Sequence, residues 1–135
     1  MAYCTQQDMI DRFGELDLIQ LTDRNALGVI DTTVLSAAID DATDTMDAYI
    51  GTRYTLPLAS VPAVLQRLSC DITRYYLYQH EAPESVDARH SAAIDLLKAI
   101  AKGHVDLAVG EASGDAGGVS FASGTAAFDE TQNWP

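Results

Sequence analysis

A chain of 135 residues, 47% of them apolar, has the size of one domain with a real hydrophobic core and is too rich in apolar groups to stay disordered. Its net charge of −12 argues against binding DNA through its phosphates, which rests on cationic side chains releasing counterions. No apolar run approaches a membrane span and no basic region followed by an apolar block opens the chain, so neither membrane insertion nor secretion is expected.

Thr5 is a good N-cap for a first helix, with Asp8 three residues on adding negative charge at the positive helix end. This helix is expected to run to Phe13 and stop at Gly14, with Met9, Ile10 and Phe13 on one side. A second short helix, 15–21, is expected to turn Leu16, Ile19 and Leu21 inward. Asp31 or Thr32 caps a long third helix that ends at Gly51. At helical spacing Leu35, Ala38, Ile39, Ala42, Met46 and Tyr49 form its apolar stripe, while Asp40, Asp44 and Asp47 lie opposite with Asp41 flanking. Pro57 and Pro62 exclude regular helix from 52–62, which reads as an extended strap across the helices.

Pro62 then falls in the first turn of a fourth helix reaching about His80. Leu65, Leu68, Ile72, Tyr75 and Tyr76 face its core side, Arg67, Arg74 and Tyr78 its far side, and Cys70 and Leu77 its border. A fifth helix, from about Glu84 to Lys102, stops at Gly103; Val86, His90, Ala93, Ile94, Leu97 and Ala101 make its stripe, and Leu96 points away. After Leu107 glycines interrupt any helical period, so 1–107 reads as a helical domain and 108–135 as a flexible, Gly-rich C-terminal arm. The fold expected is all-α: a compact bundle of four to five helices with a Pro-containing strap. Val119, Phe121, Phe128 and Trp134 of the arm read as anchors for a partner surface, the plainer account being that they fold back on the same core.

Chemistry-bearing patterns are sparse. Asp23, Asn25, Gly28, Ile30 and Asp31 imitate the start of a calcium loop, in which alternate oxygens converge on one cation. Leu27 and Val34 stand where oxygen ligands are needed, and a tight turn with Asp31 capping the next helix explains the same residues, so no metal site is assigned. His80, His90 and His104 are scattered, Cys70 has no histidine at helical distance, and no glycine-rich phosphate loop precedes a helix. No catalytic residue and no cofactor follow. Cys4 and Cys70 lie far apart without metal or redox spacing and read as buried or half-buried thiols of a reducing compartment. Arg67, Arg74, Leu77, Tyr78 and Leu96 are left as candidate subunit contacts, against a local ion-pair network with Asp71. The face of Asp40, Asp44 and Asp47 is either plain solvent surface or the wall of a channel past which DNA moves without sticking.

The run from Thr5 to Gly14, Leu18 to Arg24, Gly28 to Asp31, Ile50 to Leu58, Val61 to Leu65, Cys70 to Tyr78 and Ile100 to Gly103, in this order and spacing, resembles the phage Mu-type head–tail connector family found in prophages. The resemblance covers about 2–107. It implies a small helical adaptor, or head-completion protein, made in the host cytoplasm and carried in the virion neck. Copies would close into a homo-oligomeric ring, on the order of a dozen (a dodecamer), by a heterologous contact. The ring would sit beneath the portal protein and meet a stopper or tail terminator protein, with DNA passing through without sequence-specific binding. A small calcium-responsive or other protein-binding module is the alternative.

Overall fold

The computed structural model describes residues 2–107, and among these the regular structure is wholly helical. Five helices follow one another: α1 Gln6–Phe13, α2 Glu15–Thr22, α3 Thr32–Ile50, α4 Ala63–Leu77 and α5 Glu84–Ala101. The arm expected over 108–135, with Val119, Phe121, Phe128 and Trp134, lies outside the described residues.

Local chemistry sets the helix ends. Thr5 Oγ1 accepts the Asp8 N–H at 3.1 Å while Asp8 Oδ2 accepts the Thr5 N–H at 2.9 Å, a reciprocal cap that satisfies two donors with no other partner in the first turn. Gly14, at φ 91°, takes a left-handed conformation that side chains disfavour and turns the chain from α1 into α2. The Asp31 carboxylate accepts from the Thr33 and Val34 N–H groups at 3.1 and 3.2 Å, so Asp31 rather than Thr32 caps α3. Pro62 is the cap of α4, one position outside the helix.

Helices α3, α4 and α5 enclose one core, built on Ala42, Met46, Ile50, Leu65, Leu68, Ile72, Ala93, Leu97 and Ile100. A second core, of Met9, Leu18, Leu35, Ala38, Ile39, Cys70 and Leu77, lies where α1 and α2 cover the other side of α3 and α4. Each fully buried Leu here contributes about 1.5–3 kcal/mol through removal of apolar surface from water. Helix α4 serves both cores, and six consecutive residues, Leu68 to Thr73, are buried. That makes α4 the central helix: Cys70, as the buried-thiol reading has it, is 0% exposed, and Leu77, expected on the border of the far side and offered as a subunit contact, is 1% exposed, because the α1–α2 pair covers the face that the fourth helix alone leaves open.

Three other expectations change. In α2, Leu18 and Thr22 are buried while Leu16 is 77% exposed, since the turn at Gly14 rotates that helix away from the orientation that would bury Leu16. In α5, Ile100 rather than Ala101 completes the buried set, and Leu96 is half-buried against the first core rather than pointing away. The strap is a run of turns and bends, not an extended strand: the Arg53 and Tyr54 N–H groups both donate to Ile50 O, and the Leu56–Pro57 peptide is cis. It still crosses the helices, with Leu58 buried in the first core.

Candidate functional site

The loop joining α2 to α3 is stabilised from within. Asp23 Oδ1 and Oδ2 accept the backbone N–H groups of Leu27 and Gly28 at 2.8 and 2.6 Å. Thr22 Oγ1, fully buried, donates to Leu18 O at 2.8 Å and accepts the Asp31 N–H at 2.9 Å, which ties the end of α2 to the cap of α3. Both acids that suggested a calcium loop are therefore used as backbone acceptors, in the tight turn that the sequence offered as the alternative. Leu27 and Val29 of this loop are 71% and 57% exposed; with Leu16 they are the large apolar groups this end of the molecule presents to solvent.

On α3, Asp40, Asp41 and Asp44 are exposed. Asp47 is not equivalent to them: it is half-buried and accepts a hydrogen bond from the Tyr3 hydroxyl. Burial, reinforced by that carboxylate, raises the Tyr3 phenol above its ordinary value and keeps it a donor. Asp47 thus holds the N-terminal segment against α3 and leaves the acidic face to the other three.

The residues suggested as subunit contacts fall into different environments. Arg67 is exposed, 3.8 Å from Asp71. Arg74 is partly buried, 3.3 Å from Asp17 of α2 and stacked over the Phe13 ring at 4.6 Å, so it joins α4 to the α1–α2 pair. Leu77 is inside the second core and takes no part in the surface of the folded chain; Leu96 retains a partly exposed edge. Tyr78 lines a cleft.

Asp71 is a buried carboxylate that sequence reading treated only as an ion-pair partner. Burial raises its proton affinity, opposed by Arg89, Arg67, Arg12 and Arg74 in falling order. Four of the eight Lys and Arg residues of the chain thus act on one carboxylate, with Asp8 and Asp11 beside Arg12 and Asp17 paired with Arg74.

The cleft has a volume of about 540 Å³ and lies where α4 ends and α5 begins, lined by Tyr75, Tyr78, His80, Glu81, Glu84 and Asp87 together with Ala82. Three carboxylates and two phenols give it acceptors and aromatic faces suited to a cationic side chain, and among the described residues none that lines it is Lys or Arg. His90 stacks on Tyr75 at 3.8 Å with rings nearly parallel, and its burial lowers its proton affinity against the pull of Asp87. Its apolar stripe position is thus met by a ring on a ring. His80 and His104 are exposed, and His104 is not among the cleft residues.

Cys4 and Cys70, far apart in sequence, are brought together: both thiols are buried in the second core and interact with each other. Nothing in their spacing signals this, because it depends on how the segment before α1 lies across α4.

Comparison with known proteins gives the chain its family. Residues 3–122 match the family model described as Bacteriophage Mu, Gp36, a match that runs past residue 107 into the Gly-rich segment. The Mu-like prophage FluMu protein gp36 of Haemophilus influenzae is 32% identical over 111 residues, covering 82% of this chain and 79% of the relative. Gene product J of Escherichia phage Mu is 31% identical over 110 residues, covering 81% and 78%. These names record a phage or prophage origin and say nothing of a place in the particle. On the family match and the length of both alignments, the chain belongs to the bacteriophage Mu Gp36 family.

Proposed function

We propose that this protein is a structural, non-catalytic component of the phage particle, a head–tail connector that forms a ring beneath the portal and joins the DNA-filled head to the tail. The observation that carries the reading, beside membership of a phage family, is the separation of surface charge. Asp40, Asp41 and Asp44 stand exposed along α3, while Arg12, Arg67, Arg74 and Arg89 gather about Asp71. A molecule with exposed acids on α3 and exposed arginines at Arg12, Arg67 and Arg89 is suited to head-to-tail contact with its own copies, which closes into a ring when the rotation per copy permits. In such a ring the acidic cleft at Glu81, Glu84 and Asp87 accepts basic side chains of a neighbour or of the portal. Leu16, Leu27 and Val29 supply apolar contact, and the α3 acids turned to the channel repel the phosphates of passing DNA.

The test is the particle itself. Phage carrying a nonsense mutation in this gene should make DNA-filled heads and free tails that do not join, and purified protein added to the lysate should restore joined particles. Normal particle yield from the mutant, or absence of the protein from finished particles, refutes the assignment.

A further inference from the structure

Cys4 belongs to the short segment ahead of α1, held there by the Tyr3 hydroxyl on Asp47 and by the Thr5 cap. Cys70 sits in the middle of α4, and the two thiols are 1% and 0% exposed within one core. Beside them on α4 lie Ser69 and Thr73, each fully buried, whose hydroxyls have no hydrogen-bond partner among the described residues. A core position that collects two thiols and two uncommitted hydroxyls is not built for apolar packing alone, since a buried polar group without a partner costs stability.

We propose that Cys4 and Cys70 are a paired oxidation site that closes to an intramolecular disulfide by exchange with a low-molecular-weight disulfide, oxidised glutathione being the probe. The reaction begins at Cys4. Pairing with Cys70 lowers its thiol against the effect of burial, while Cys70 is held protonated by the same pairing. Cys4 is also the accessible partner once the chain opens. Its segment is held by side-chain contacts and a helix cap, which release more readily than the ladder of a central helix.

The Cys4 thiolate attacks one sulfur of oxidised glutathione; that S–S bond breaks, and one glutathione leaves and takes up the proton Cys4 lost. Cys70 then attacks the Cys4 sulfur of the mixed disulfide, and the second glutathione leaves with the Cys70 proton. Two protein thiols are oxidised and one glutathione disulfide is reduced to two thiols. The resulting loop encloses α1, α2, α3 and the first half of α4, and fastens the N-terminal segment to the central helix. In a reducing compartment the pair stays open; an oxidising one closes it. This inference is independent of the connector assignment.

The experiment uses the full-length protein, incubated with oxidised glutathione under native conditions, alkylated, and mapped by mass spectrometry without reduction. A cross-linked Cys4–Cys70 peptide is expected, with a rise in Tm of about 10 °C that dithiothreitol reverses. Cys70→Ser should accumulate a glutathione adduct at Cys4, and Cys4→Ser should stay unmodified. Two free thiols after incubation, a persistent adduct on the native protein without the cross-link, or a cross-link that lowers Tm would each overturn the proposal.

Discussion

Asp71 shows how one residue can set the behaviour of a surface. A carboxylate this deeply buried is destabilised when charged, and its one ion pair among the described residues, to Arg67 at 3.8 Å, is long and leads to a half-exposed guanidinium. Its proton affinity is therefore above that of the unfolded chain despite four arginines. For an acid shifted in that direction, the protonated folded state is favoured below the ordinary carboxylate range, and the advantage is lost as pH rises through the folded value. Asp71→Asn keeps the shape and removes the ionisation. Thermal melts should therefore show the variant gaining on the native protein as pH rises above the ordinary carboxylate range. A constant gap over that rise would mean that the arginines neutralise the carboxylate fully. The burial of Asp71 was not legible in the sequence. At helical spacing it sits between Arg67 and Arg74 and looks like a solvent-facing ion-pair partner, and only the cover supplied by α1, α2 and α5 makes it a core charge.

Among the elements, the strap and the turn after α5 depend on one side chain. Arg53 Nη1 donates to Ile100 O at 3.0 Å and Val105 O at 3.2 Å, and Nη2 pairs with Asp106 at 2.7 Å, while the Tyr54 hydroxyl accepts the Leu107 N–H at 2.8 Å. Arg53 thereby caps the C-terminal end of α5 and fixes the path of 103–107. Arg53→Ala should cost about 1–2 kcal/mol in urea denaturation, and amide exchange should quicken at Val105 to Leu107 while the middle of α4 stays protected. Unchanged exchange there would assign the path to Leu107 packing alone. Helix ends were readable where their causes are local, as Thr5 with Asp8, Gly14, Asp31 and Gly103 each act within a turn of the boundary they set, whereas α4, expected to reach about His80, ends at Leu77. Helix faces were readable only where a single neighbour covers them. The stripe of α3 emerged nearly whole, whereas α4, covered on two sides, buried Cys70 and Leu77 beyond its one-sided reading, and α2 turned Leu16 outward.

At the scale of the molecule, the described residues form two cores drawn from residues 3–107. Tyr3 and Leu107 are the outermost members of the first core, and every other buried residue lies between them. The family match runs to residue 122, beyond the described residues. If Val119, Phe121, Phe128 and Trp134 serve a partner surface, removal of 110–135 leaves the domain intact: far-UV circular dichroism stays helical, and Tm falls by no more than about 5 °C, the shift of roughly 1 kcal/mol in a domain of this size. The same truncation should fail to restore joined particles in a lysate of the nonsense mutant, where the full chain succeeds. Loss of helical signal would instead place those aromatic residues in the core, since large apolar side chains that fold back contribute to stability in proportion to the surface they bury. A truncated protein that is both folded and fully active in joining would remove the segment from the assembly function and leave docking to the helical surfaces alone.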